Sequence, residues 1–211
     1  LDQEYLSHYD RNDREAQIDS HIPMQKGFDA PKEVEAAYSI TEEEDEENGC
    51  YLSISDVVGT DLDPKLYVAF QILEYPLDGQ FKEERPTFIT EDEINEVLAP
   101  GGGILQPYFS VIAKDARADQ KGEFLAVVKG TLRKLANEGL NRKSLLAAMN
   151  YYEFKYREAD YGNYPKGLMY GLQCMDSWLY DGDPMMHLAY GDTFAFLKEA
   201  VKDGYFEQLI K

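Results

Sequence analysis

The stretch CYLSISDVVGTDLDPKLYVAFQILEY, Cys50 to Tyr75, changes its period halfway. Up to Val58, Leu52 and Ile54 alternate with Ser53 and Ser55, the two-residue repeat of a strand with one buried face. Past Thr60 the repeat lengthens. Asp63 is a good helix N-cap, Pro64 suits the first helical position, and Leu66, Ala69, Phe70 and Leu73 then share one helical face. The helix is expected to end near Pro76, because an interior proline removes a backbone donor and clashes with the preceding turn.

Working outward, residues 1–10 read as the end of a helix and 11–32, with Pro23, Gly27 and Pro31, as an irregular connector. Residues 1–32 are therefore read as a linker and 33–211 as a single domain. Val34 to Ile40 is a strand candidate, expected to form a hairpin with Cys50–Val58 across the acidic loop TEEEDEENG. That loop lacks the spaced D-x-[DN]-x-[DN]-G pattern of a calcium site and reads as a solvated tip. A short helix is expected after Thr90, in TEDEINEVL, followed by the glycines 101–103. Ile104 to Ala113 reads as a third strand, with Pro107 indicating an edge or a bulge.

From Ala118 onward the chain reads as helical. Phe124, Val127, Val128, Leu132 and Leu135 form one stripe ending at Gly139, Asn141 caps the next helix to about Asp160, Pro165 starts another, and Asp192 caps a last long one before the tail YFEQLIK. In the helix that starts at Pro165, Leu168, Met169, Leu172, Met175 and Leu179 are expected to be buried, with Trp178 beside them. Gly167 and Gly171 are expected to allow close helix packing, so that Gly171→Leu would destabilise the domain. Strands grouped early and helices grouped late predict an α+β domain, a small, mostly antiparallel sheet covered on one face by helices.

Composition excludes several functions. Forty Asp and Glu against 21 Lys and Arg give a net charge of −19, which repels nucleic acid and anionic membranes and favours a cationic partner. The two cysteines, Cys50 and Cys174, form no C-x-x-C pair, and no apolar run is long enough to span a bilayer. His8, His21 and His187 are too scattered for a metal cluster and read as surface or hydrogen-bonded residues, and no G-x-S-x-G or phosphate-loop pattern occurs. Asp181 and Asp183, in Asp-Gly-Asp-Pro, read as turn chemistry rather than as an acid–base pair. The residues by themselves describe an acidic α+β domain without a catalytic constellation.

Residues 151–188, YYEFKYREADYGNYPKGLMYGLQCMDSWLYDGDPMMHL, with 192–210, DTFAFLKEAVKDGYFEQLI, resemble the zinc-dependent insulinase (pitrilysin) metallopeptidases, specifically the presequence-protease branch. CYLSISDVVGTDLD (50–63) and GILQPYFSVIAKDA (103–116) are similar to the second domain of that branch, in the same order, and LDQEYLSHYDR at the start is similar to the linker leaving the first domain. The resemblance implies one of four homologous α+β domains of the metallohydrolase type, related to the mitochondrial processing peptidases, that close around a chamber. In the family the first domain carries H-x-x-E-H and a distal glutamate, and the last contributes an Arg and a Tyr. No residue here matches the zinc motif, so no metal ligand or catalytic base carries over. Zinc is expected in the parent enzyme and no cofactor in this chain.

What carries over is a binding role: the family's second domain holds substrate along a strand edge and a glycine turn, matched here by Gly102, Gly103, Ile104 and Leu105. The segment 76–100 departs from the family pattern. The resemblance implies a non-catalytic, chamber-forming domain, inactive alone, of an endopeptidase that degrades short unstructured peptides in a bacterial cytoplasm or an organelle matrix. Its expected partners are the other domains of that enzyme and unfolded peptides, basic ones among them, with neither nucleic acid nor membrane. The chain opens on Leu1 rather than Met, which fits a segment of a longer protein; the alternative is a standalone peptide-binding or assembly module of the same fold.

Overall fold

The first strand, β1 (Cys50–Val57), and the first helix, α1 (Pro64–Glu84), fall where the change of period places them. In the computed structural model, which describes residues 3–10, 22–39, 41, 49–84, 94–98 and 103–211, two further strands, β2 (Ile94–Leu98) and β3 (Tyr108–Ala116), and five further helices follow. These are α2 (Lys121–Glu138), α3 (Arg142–Glu158), α4 (Lys166–Trp178), α5 (Tyr190–Ala200) and α6 (Tyr205–Ile210). The sheet has the order β1-β3-β2 and both pairs are antiparallel. The class is α+β, as the grouping of periods predicts.

Register divides the sheet into two faces. Leu52 opposes Ala113 and Ile54 opposes Val111, and these side chains turn toward the helices, where Phe109 meets Phe70 with ring centroids 6.0 Å apart. Ser53, Ser55 and Val57 oppose Ile112, Ser110 and Tyr108 on the other face, tied across by a Ser55–Ser110 hydroxyl bond of 2.6 Å. Helix α1 packs on β2, α2 lies near β1, and α3 and α5 form an outer layer on α1. Ala69, Ile72 and Leu73 of α1 and Met149 and Leu197 of the outer layer are fully buried, so the core lies around α1.

Helix α1 passes through Pro76 instead of ending there. Asp63 caps its start, its carboxylate accepting from the Lys65 and Leu66 amides at 2.9 and 3.2 Å. Beyond the proline, Leu77 and Phe81 continue the stripe of Leu73 at intervals of four and are 2% and 1% exposed. Burial of two large apolar side chains outweighs the ~3 kcal/mol that an interior proline costs a helix.

Three strand expectations are corrected. Residues 34–39 carry no strand: Val34 is 83% exposed, the adjacent alanines offer little surface to bury, and β1 pairs with β3 instead. Ile94–Leu98 is a strand rather than part of a helix, its Ile and Val lying along β3; the acidic loop 42–48 and residues 90–93 lie outside the described residues. β3 is the central strand and starts just after Pro107, which lacks a donor but whose carbonyl accepts from the Val58 amide at 2.9 Å. Among residues 3–10 only Leu6–His8 is helical, as a 3-10 turn.

The late helices follow their caps: Asn141 Oδ1 accepts from the Lys143 and Ser144 amides, and Gly139 ends α2 with φ +93°. Asp192 lies in the first turn of α5, which starts at Tyr190. The Asp181–Asp183 turn is confirmed as a turn, with Asp183 accepting from the Met185 amide at 2.9 Å. In α4 the expected buried stripe holds only for Met169 and Met175, which are half-buried, and fails for its leucines. Leu168, Leu172, Leu179 and Trp178 are 53%, 53%, 47% and 62% exposed, because polar side chains hold the opposite face to the domain.

Gly167 and Gly171 border open space, with nothing within 4 Å of a Cβ placed on either. Gly171→Leu is therefore expected to leave the chain as stable or to stabilise it by up to ~1 kcal/mol, since it removes a helix-interior glycine. Thermal unfolding of the chain carrying this substitution checks it.

Candidate functional site

Between the glycines and β3, residues 103–107 form a strap laid beside the end of β1. The Asp61 amide donates to the Leu105 carbonyl at 3.1 Å and the Val58 amide to that of Pro107, prolonging the pairing beyond the strand. Gly103 has φ +93°, a conformation that side-chain-bearing residues adopt at a cost of order 1–2 kcal/mol. Both of its polar backbone groups are engaged. Its N–H donates to Asp61 Oδ2 at 3.3 Å, and its carbonyl accepts from the Tyr180 hydroxyl at 2.6 Å. Ile104 is 47% exposed and Leu105 is half-buried, so the strap shows solvent an apolar side chain on a fixed backbone.

Of the four residues matched to a binding role, Gly103, Ile104 and Leu105 lie together on this strap, and Gly102 lies outside the described residues. Gln106, next along, makes a two-point contact with a passing chain. Its side-chain amide accepts from the Gln25 N–H at 2.6 Å and donates to the Gln25 carbonyl at 3.2 Å.

A buried polar cluster under the strap is absent from the sequence reading. Asp61 has no exposed surface, and its Oδ1 has no partner. Burial is the main cause that pushes its carboxyl up to about 7; the Gly103 N–H opposes the shift and the neighbouring Asp176 carboxylate adds to it. Burial also raises Asp176, countered by the Tyr67 hydroxyl that donates to it at 3.4 Å. His187 is 3% exposed and stacks against Tyr67 with centroids 4.5 Å apart. Neither of its ring nitrogens has a hydrogen-bond partner, which corrects the expectation of a surface or hydrogen-bonded residue. Burial lowers its pKa, with the Asp61 backbone acting the other way.

A signal for the cluster was present but masked. Asp61 stands two residues before the helix cap Asp63, where an aspartate is ordinary in a turn. Asp176 comes inward only when the phase of α4 is set by Met169, Gln173 and Tyr180 rather than by its leucines.

The cluster pins the strap, Asp61 and Tyr180 holding the Gly103 backbone from its two sides. Among the described residues no three His, Cys, Asp or Glu side chains are placed to hold a metal ion. Zinc does not fit the described residues. No described helix is long and apolar enough to cross a membrane.

No family model matches the chain. It is 36% identical over 213 residues to Protein HypA of Clostridium perfringens, an alignment that takes in all of this chain and 22% of that protein. It is 28% identical over 188 residues to Presequence protease 1, chloroplastic/mitochondrial, of Arabidopsis thaliana, across 87% of this chain and 17% of that protein. The chain thus spans about a fifth of the curated relatives it matches, and over most of its length it is similar to one part of a protein named as a presequence protease.

Proposed function

We propose that this chain is a non-catalytic, chamber-forming domain of an insulinase-type zinc endopeptidase, and that it holds unstructured peptides along Gly102–Leu105. The observation that carries the reading is the similarity to Presequence protease 1 over 87% of the chain. A fixed strap at Gly103, with an exposed Ile104 beside it, supports the binding role, since an extended peptide gains affinity from rigid backbone and specificity from alternate side chains. The charge of −19 supports a preference for basic peptides, attracted at long range and released by salt. Zinc and its ligands would belong to another part of the parent enzyme, in a bacterial cytoplasm or an organelle matrix.

In the full-length gene product the strap should contribute binding and no chemistry. Gly103→Val is expected to raise KM for an unstructured basic peptide about tenfold, equivalent to about 1.4 kcal/mol, with kcat retained. Steady-state cleavage kinetics check this, and an unchanged KM or a loss confined to kcat would count against the strap.

A further inference from the structure

Helix α4 is built inside out. Met169, Gln173, Asp176 and Tyr180 recur at intervals of four, three and four and face the domain, together with the fully buried Ser177. Their links are polar: Asp176 accepts from the Tyr67 hydroxyl, Gln173 donates to the His187 carbonyl at 3.1 Å, and Ser177 donates to the Asp183 carbonyl at 2.7 Å. Leu168, Leu172, Met175 and Leu179 recur at the same intervals on the other side, and three of them are about half exposed, with Trp178 at 62% and Met185 at 56% beside them. No described helix or strand packs extensively along α4. A helix that turns its polar side to its own domain and its apolar side outward is expected where that outer side has a partner.

We infer that this outer face of α4 is the docking surface for an adjoining domain of the same, longer polypeptide, which meets it with an apolar surface rimmed by Lys and Arg. The inference rests on the reading of the chain as one domain of a larger enzyme, and it names the surface that joins it to the rest. Both relatives are about five times longer than the matched segment, so chain to cover the face is available in proteins of this kind. Asp160, Asp181 and Asp183 flank the helix in sequence against the one cation Lys166 at its start, so the border is acidic on balance. A second copy of this chain is the poorer occupant, because it would bring another charge of −19 to the same acidic border. Gly167 and Gly171, open on their outer side, let a partner approach the backbone closely.

Carbene footprinting of residues 166–185, in the chain alone and in the full-length gene product, tests this. Labelling at Leu172 and Trp178 is expected to fall severalfold in the full-length protein. The double substitution Leu168→Glu, Leu172→Glu should leave thermal unfolding of the chain alone unchanged and lower that of the full-length protein. Equal labelling in the two proteins, a gene product no longer than this chain, or a dimer of the chain abolished by Leu172→Glu would each overturn the inference. Protection in a full-length protein that cleaves no peptide keeps the docking surface and removes the peptidase reading; an active enzyme with α4 fully labelled does the opposite.

Discussion

Phe81→Ala should lower the unfolding free energy of the chain by about 3–5 kcal/mol, the cost of deleting a fully buried aromatic side chain and leaving a cavity. Phe81 is 1% exposed and lies more than a turn beyond Pro76, on the stripe that Leu73 and Leu77 begin. A helix that stopped at the proline would leave Phe81 in a connector, where its loss would cost within about 0.5 kcal/mol. Urea unfolding separates the two cases. A near-neutral result would mean that the second half of α1 does not pack on the core and that β2 lacks the helix that covers it.

Asp61→Asn should stabilise the chain at pH 8 and change the shape of its pH dependence. The folded carboxyl is raised from 3.8 to about 7, so between these values the folded state binds a proton that the unfolded state releases. This group's contribution to stability is therefore full below pH 3.8, declines as pH rises, and becomes a penalty above about 7. Each unit of such a shift corresponds to about 1.4 kcal/mol. Asparagine keeps an acceptor for the Gly103 N–H and carries no charge to repel Asp176, so a gain of ~1–3 kcal/mol at pH 8 is expected. His187 has the opposite sign: with its pKa lowered by burial, it loses stability as pH falls below its ordinary 6.5. In the natural chain the two partly cancel on acidification; in the variant only the His187 loss remains, and stability should fall more steeply toward pH 5. Unfolding at pH 8 and pH 5 reads both effects. A variant less stable at pH 8, with the natural slope, would place the Asp61 charge outside the low-dielectric interior.

The sequence made the capped helices legible because their signals are local: Asp63, Asn141 and Gly139 act on backbone groups within a few residues. Strand partners were less legible. Val34–Ile40 and Cys50–Val58 looked like a hairpin because they are neighbours, but the pairing was decided by distant β3, where Val111 and Ala113 meet Ile54 and Leu52. Pro76 misled because its local penalty is visible and the compensating burial of Phe81 is not. Helix α4 misled for a related reason: apolar spacing identifies a face, but not which way that face points. At the candidate site, Gly103, Ile104 and Leu105 came from resemblance, whereas the group that fixes them, Asp61 with Tyr180, is brought together across 119 residues, from Asp61 to Tyr180, by the fold alone.

The central claim is that this chain holds peptide and does not cut it, and titrating a fluorescently labelled, unstructured basic peptide with the purified chain tests that most directly. Anisotropy should rise to saturation with the peptide intact, weaken as salt is added, and require about tenfold more of a folded Gly103→Val variant. Cleavage of the peptide by the chain alone, or equal binding by the variant and the natural chain, would contradict it.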